Sequence, residues 1–122
     1  MKDIRMGDVE SRFAEIIWKS EPVSTTELVK VSALEFQWKK TTTYTVLKRL
    51  CEKGIFKNEG GTVTSLISRD DFYSLRSERF VEEEFNGSLP AFLSAFTRRK
   101  PLSAEEIEVL RRVVEEYEGL KK

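Results

Sequence analysis

Apolar residues recur three and four positions apart over most of the chain, a spacing that places them on one face of a helix. The pattern predicts a first helix that Asp8 caps and that ends near Ser20. A second helix is predicted to follow Ser24, because Ser24 and Glu27 have the spacing of a capping box. Its predicted buried positions are Leu28, Val29, Ala33 and Phe36.

A third helix is predicted from about Lys40 to Lys53, and Gly54 would supply the left-handed residue at its end. The pattern then shortens into two strand-like runs, residues 55–58 and 62–67, on either side of a Gly60-Gly61 turn. Three helices followed by a hairpin is the order of a winged helix-turn-helix. Residues 1–69 are therefore predicted to form a winged-helix DNA-binding domain.

Residues 70–122 read as three further helices, which Asp70 or Asp71, then Ser88, then Ser103 would cap. About 50 residues rarely sustain a core of their own, so we expect them to be a helical dimerisation domain that packs against a second copy. Packing onto the N-terminal half is the alternative. The predicted dimerisation residues are Phe72, Leu75, Phe85, Phe92, Phe96, Leu110 and Val114. The predicted fold class is thus mostly α with a small β-hairpin.

The third helix has two unlike faces. Its predicted core face consists of Thr43, Val46, Leu47 and Leu50. The opposite face presents Thr41, Tyr44, Thr45 and Lys48, with Thr42 and Arg49 at its edge. Threonine can hydrogen-bond base edges and contact the thymine methyl, while tyrosine and helix-start N–H groups suit phosphate oxygens. The alternative is that Thr41 or Thr42 caps the helix and the lysines form a solvated face.

Charge favours the first of these interpretations. The chain has no net charge, but residues 37–58 contain six basic residues and one acidic residue, a local charge of +5. A concentrated basic patch steers anionic partners towards it. Lys48 is predicted to reach a base or a phosphate, and the predicted phosphate contacts are Lys39, Lys40, Arg49 and Lys57.

Composition argues against several other functions. There is no histidine, the commonest general base and zinc ligand, so neither an enzyme nor a metal site is expected, and no cofactor motif occurs. Cys51 is the single cysteine, which suits a reducing cytoplasm, and we expect it to be a half-buried apolar residue. No apolar run approaches the roughly 20 residues of a membrane span, so no membrane insertion is expected.

The sequence resembles the penicillinase repressor family, the BlaI/MecI/CopY transcriptional repressors. The matching stretches are EIIW at 15–18, KTTTYTVLKRL at 40–50, KG at 53–54, FNGSL at 85–89 and LSAEEIEVL at 102–110. They span nearly the whole chain in the family's order. One departure lies in the second wing strand, where the family usually has a tyrosine and this chain reads TSLI at 64–67.

The resemblance implies a homodimer that binds a palindromic operator in double-stranded DNA and blocks a resistance gene. It also implies a membrane sensor protease pathway that triggers cleavage within the C-terminal domain. The family's usual scissile pair is Asn-Phe, and the matching candidate cleavage site here is Ala95-Phe96. Copper-responsive members end in a cysteine cluster, and this chain has no cysteine after Cys51.

The outward face of the third helix and the family resemblance together imply a dimeric, sequence-specific repressor that excludes polymerase from a promoter. The competing hypothesis is a winged-helix protein-interaction module without sequence-specific DNA binding.

Overall fold

The computed structural model describes residues 4–121, with side chains through Gly119. The helices are α1 (Asp8–Ser20), α2 (Thr25–Phe36), α3 (Lys40–Glu52), α4 (Arg69–Phe85), α5 (Leu89–Arg99) and α6 (Ala104–Lys121), and the strands are β1 (Val23–Ser24), β2 (Phe56–Glu59) and β3 (Thr62–Ser65). The chain divides into two compact units, residues 1–77 and 78–122. The predicted fold class is confirmed: a mostly helical chain with a winged helix-turn-helix at its N-terminal end.

The sheet has one strand more than the predicted hairpin. Its order is β1-β3-β2, and both pairings are antiparallel. Val23 faces Val63 and Ser24 faces Thr62, so the short β1 joins the wing to the start of α2. Gly60 and Gly61 have φ values of 58° and 87°, which suits the tight two-residue turn between β2 and β3.

Several predicted helix ends are confirmed. The Ser24 hydroxyl accepts from the Glu27 N–H at 3.0 Å, and the Ser103 hydroxyl accepts from the Glu106 N–H at 3.1 Å. Gly54, with a φ of 80°, follows α3 as expected. Two helix starts differ from the prediction. Asp8 is the first residue of α1 instead of its cap, and Ser68, not an aspartate, accepts from the Asp71 N–H at the start of α4.

The helix-turn-helix consists of α2 and α3, joined by residues 37–39. Gln37 adopts a left-handed conformation, with a φ of 56°, and its side chain donates to the Leu34 carbonyl at 3.1 Å. Within α2, Leu28 is buried as predicted, but Ala33 is exposed and Ser32 is buried in its place.

The buried Ser32 hydroxyl has no hydrogen-bond partner within the described residues. A buried hydroxyl without a partner has lost its hydrogen bonds to water and gained none in return, which destabilises the fold. Alanine removes this hydroxyl and also favours the helix more than serine does. Ser32→Ala is therefore expected to raise the free energy of unfolding by about 1 kcal/mol. Ser24→Ala, which removes the cap of the same helix, is expected to lower it by about 1 kcal/mol. Urea unfolding of both variants measures the two effects, and a destabilised Ser32→Ala variant would contradict this prediction.

Residues 1–77 contain an aromatic core that includes the start of α4. The Trp18 ring lies 5.2 Å from the Phe56 ring and 5.3 Å from the Phe72 ring, and its Nε1 donates to the Ile67 carbonyl at 3.1 Å. Trp38 packs against Phe13, with ring centroids 5.4 Å apart. Both tryptophans therefore stabilise this core.

Phe72 corrects a prediction. It was expected on a dimer face, but its ring is 0% exposed within the core of residues 1–77. Nearby, the Glu15 carboxylate of α1 accepts from Arg69 Nε at 2.9 Å and from the Tyr73 hydroxyl at 3.0 Å. Burial, and then the bond to Glu15, raise the pKa of the Tyr73 phenol, which stays a neutral donor. The first two turns of α4 thus belong to the N-terminal unit, because their contacts are with α1.

The second unit shows no buried interior over the part whose side chains are described: from Glu78 to Gly119, no residue is buried. Phe80, Phe85 and Phe92 form a ring cluster with centroids 5.5 to 6.0 Å apart, and Phe96 lies 6.1 Å from Phe92. Much of this apolar surface therefore stays open to solvent in the single chain.

Candidate nucleic-acid interface

The two faces of α3 are sorted as the spacing predicts. Thr43, Val46, Leu47 and Leu50 are buried. Exposed side chains are those of Thr41, Thr42, Tyr44, Thr45, Lys48 and Arg49. Apolar positions at helical spacing turn one side of the helix into the core, so the polar positions between them face outward. These six exposed residues form the candidate recognition face of α3, which is open to solvent as predicted.

The threonines of α3 do not cap it. Lys39 occupies the N-cap position and its side chain makes no capping bond, while Thr41 and Thr42 lie inside the first turn. Further along, Thr45 Oγ1 donates to the Thr41 carbonyl at 2.8 Å. This bond uses the hydroxyl proton, and the hydroxyl oxygen of this exposed residue can still accept a hydrogen bond. Capping does not explain why threonines occupy this face.

The N-terminal end of α3 is electropositive. The first N–H groups of a helix have no acceptor within it, and they carry the positive end of the helix dipole. The first turn of α3 contains no acidic residue, and Lys39 and Lys40 add two positive charges there. Such a helix end attracts anions such as phosphate.

The predicted cations fall into two groups. Within the described part of the chain, Lys39, Lys40 and Lys48 form no ion pair, although Lys40 Nζ lies 6.0 Å from the Tyr44 ring centroid. Lys57 Nζ lies 3.1 Å from Glu59 Oε1 on the same strand. Arg49 is 3.9 Å from Glu10 of α1. The predicted cations that have no ion pair among the described residues therefore lie at the N-terminal end and in the middle of α3.

Glu10 is the residue near this surface that sequence reasoning missed. Its carboxylate contacts both Arg49 and Lys53 at the C-terminal end of α3. The two partners lie 39 and 43 positions further along the chain, so no local pattern connects them to it. The contact between Glu10 and the two cations of α3 is therefore seen only in the folded chain.

The wing is held against the helix-turn-helix. The Thr25 N–H at the start of α2 donates to the Gly61 carbonyl at 2.9 Å, and the Gly61 N–H donates to Asn58 Oδ1 at 3.1 Å. Ser65 of β3 donates to Glu21 through both its N–H and its hydroxyl, at 2.9 and 2.8 Å. These bonds fix the position of the hairpin that carries Lys57.

Most of the predicted dimerisation residues are accessible. Leu75, Phe96, Leu110 and Val114 are exposed, and Phe85 and Phe92 are half-buried. The Ala95-Phe96 pair lies within α5, and both of its residues are exposed. Apart from Phe72, the predicted dimerisation residues are therefore exposed or half-buried in the described chain.

Cys51 is half-buried between the two faces of α3. Burial, and then the neighbouring Glu52 charge, raise the pKa of its thiol, which disfavours the reactive thiolate. Among the described residues, none of the helices has the length and apolar character needed to span a membrane.

Known proteins are similar to this chain in sequence and in fold. The chain is 32% identical to the penicillinase repressor of Bacillus licheniformis, over 100% of this chain and 99% of that protein. It is 25% identical to the methicillin resistance regulatory protein MecI of Staphylococcus aureus, over 93% of this chain and 95% of that protein. The solution structure of the DNA-binding domain of the repressor BlaI covers 58% of this chain and 93% of that chain, with 32% identity and a TM-score of 0.50.

Residues 6–116 match the family model described as penicillinase repressor. This match covers most of the chain, including α3, the wing and the C-terminal helices. The chain belongs to the penicillinase repressor family.

Proposed function

We propose that this protein is a homodimeric, sequence-specific DNA-binding repressor, which occupies a palindromic operator in the cytoplasm and thereby blocks the promoter of a resistance gene. The observation that carries the proposal is the outward face of α3, where hydroxyl, phenol and ammonium groups lie opposite a buried apolar face. Membership of a repressor family, with a relative that has a DNA-binding domain of similar fold, supports the same conclusion.

In this proposal each α3 enters a major groove. Thr41 and Thr45 face the base edges, with Thr42 beside them, and Lys48 reaches a base or a phosphate. The Tyr44 hydroxyl contacts a phosphate. Lys39, Lys40, Arg49 and Lys57 contact phosphates and fix the orientation of the helix. Two such helices read half-sites that lie about one helical turn, roughly 34 Å, or a multiple of it apart. A dimer bound in this way covers the promoter and excludes polymerase.

The dimer would form through residues 78–122, together with Leu75 just before them. Exposed apolar residues of α6 follow the alternating three- and four-residue spacing of a helix seam, at Ile107, Leu110, Val114 and Tyr117. Such a seam is buried when it packs against another helix. We therefore divide the chain between a DNA-binding part that ends at residue 77 and a dimerisation part that follows it.

Regulation in this proposal follows the family. A membrane sensor protease pathway would lead to cleavage of α5 at Ala95-Phe96. Because that bond lies within the dimerisation part, cleavage would separate α6 from the aromatic cluster around Phe92. The loss of the dimer would then release the operator.

The test is a comparison of two DNA duplexes by fluorescence anisotropy. One duplex carries the intergenic sequence upstream of the gene that encodes this protein. The other duplex has the same bases in scrambled order. Thr41→Ala and Thr45→Ala are each expected to weaken binding to the upstream duplex about 10-fold or more, because base contacts are lost. Binding to the scrambled duplex should change less than about twofold, since phosphate contacts dominate it.

Ser77→Ala is the matched control. Its hydroxyl donates to the Tyr73 carbonyl at 2.8 Å, the same bond within a helix that Thr45 makes, but on α4. The control should leave both affinities unchanged. Equal losses on both duplexes for the α3 variants would contradict a base-reading role. A wild-type protein that binds both duplexes equally would favour the protein-interaction module instead.

A further inference from the structure

Glu10 links the first turn of α1 to the C-terminal end of α3. Its Oε2 lies 3.2 Å from Lys53 Nζ, and its Oε1 lies 3.9 Å from Arg49 Nη1. The Glu10 and Lys53 side chains are 20% and 19% exposed, whereas Arg49 is 56% exposed. One carboxylate therefore lies between a largely covered ammonium group and a largely open guanidinium group.

The two cations are held differently. Lys53 Nζ donates to the Arg5 backbone carbonyl as well as to Glu10. Lys53 therefore connects the end of α3 both to α1 and to the segment that precedes α1. Among the described residues, the ion pair of Arg49 is the long one to Glu10, at 3.9 Å. An exposed pair at such a distance is weak. Arg49 can therefore leave Glu10 without disturbing the core.

We propose that Glu10 is an intramolecular competitor for DNA phosphate. It holds Arg49 in the free protein, and Arg49 exchanges this carboxylate for a backbone phosphate when α3 enters the groove. The inference rests on the proposed function, because it assumes that the α3 face contacts DNA. Carboxylate and phosphate compete for one guanidinium, since both accept charge-assisted hydrogen bonds from it. Glu10 thus lowers affinity for DNA of any sequence.

The exchange also affects the salt dependence. A phosphate that binds Arg49 releases a condensed cation. The Glu10 carboxylate keeps Lys53 as a partner but loses Arg49, so it attracts cations from solution more strongly in return. The net release is therefore smaller than for an arginine without an internal partner. Since each neutralised phosphate contributes about 0.9 to the slope of log affinity against log salt, removing the Glu10 charge should steepen that slope by up to about 0.9.

The experiment measures binding of the full chain to the upstream and scrambled duplexes over a series of KCl concentrations. Glu10→Gln is expected to bind both duplexes about two- to fivefold more tightly at low salt, in proportion to the surface ion pair that binding no longer has to break. Arg49→Gln should cost more affinity in the Glu10→Gln background than in the wild type. Additive effects of the two substitutions would overturn the proposal.

Asp8→Asn is the matched control. Asp8 lies in the same first turn of α1, is exposed and carries the same charge, but the described residues offer it no ion pair. It should produce less than half the gain of Glu10→Gln. Equal gains would show a general effect of negative charge and would overturn the proposal.

Glu10→Asp provides a second test if loss of the Lys53 contact unfolds the Glu10→Gln variant. The shorter side chain keeps its charge but reaches less far, so the 3.9 Å contact with Arg49 should be lost before the 3.2 Å contact with Lys53. A gain in affinity supports the proposal, and no gain contradicts it. If the wild type shows no preference for the upstream duplex, the proposed function fails, and the Glu10 effect can still be measured on the scrambled duplex.

Discussion

A chain that ends at Ser77 is expected to fold and to stay monomeric, and to bind a complete operator about 100-fold or more weakly than the full chain. Every residue that the structure describes as buried lies before this point, from Ile4 to Phe72, so the shortened chain keeps its core. It loses the exposed apolar surfaces of α5 and α6, through which a second copy would bind. Without the dimer, the second half-site is no longer held near the first recognition helix.

The effect can be measured with three observations on the same sample. Analytical ultracentrifugation gives the oligomeric state, circular dichroism gives the melting temperature, and anisotropy gives affinities for a complete operator and for an isolated half-site. Both chains should bind the half-site with similar affinity, since each recognition helix is unchanged. A shortened chain that binds the complete operator as tightly as the full chain would contradict the proposed division of labour.

The sequence predicted the parts of the fold that local chemistry determines. The buried and exposed faces of α3 follow from helical spacing. Thr43, Val46, Leu47 and Leu50 lie three or four positions apart, so in a helix they share one face and the polar residues between them lie on the other. The caps at Ser24 and Ser103 and the turn at Gly60 are also local, since each bond or dihedral joins residues at most three positions apart. The candidate recognition face could therefore be located from the sequence.

Features that depend on distant residues were missed or misplaced. The two residues of β1 are too few to show a pattern, and only their pairing with Val63 and Thr62 makes them a strand. Glu10 meets Arg49 across two helices that are far apart in sequence. α4 is one continuous helix that contributes to both units, and helical spacing cannot show which unit a given residue packs with. Phe72 was assigned to the wrong unit for that reason.

Phe72→Ala is expected to lower the free energy of unfolding of residues 1–77 by about 3–5 kcal/mol, the range for removal of a buried aromatic side chain. The ring is fully buried, and its centroid lies 5.3 Å from that of Trp18 and 5.3 Å from that of Tyr73. Alanine would leave a cavity between α1 and the start of α4. Urea unfolding of the chain that ends at Ser77, followed by tryptophan fluorescence, measures the change without any contribution from dimerisation.

Leu75→Ala is the matched control, one turn further along α4. Leu75 is 38% exposed, so the same truncation should cost less than about 1 kcal/mol in the shortened chain. In the full chain it should instead weaken dimerisation, as expected for a residue on the proposed dimer face. A Phe72→Ala variant that dimerises poorly but unfolds at the wild-type urea concentration would place the ring at the interface between copies, and the boundary of the DNA-binding part would then return to residue 69.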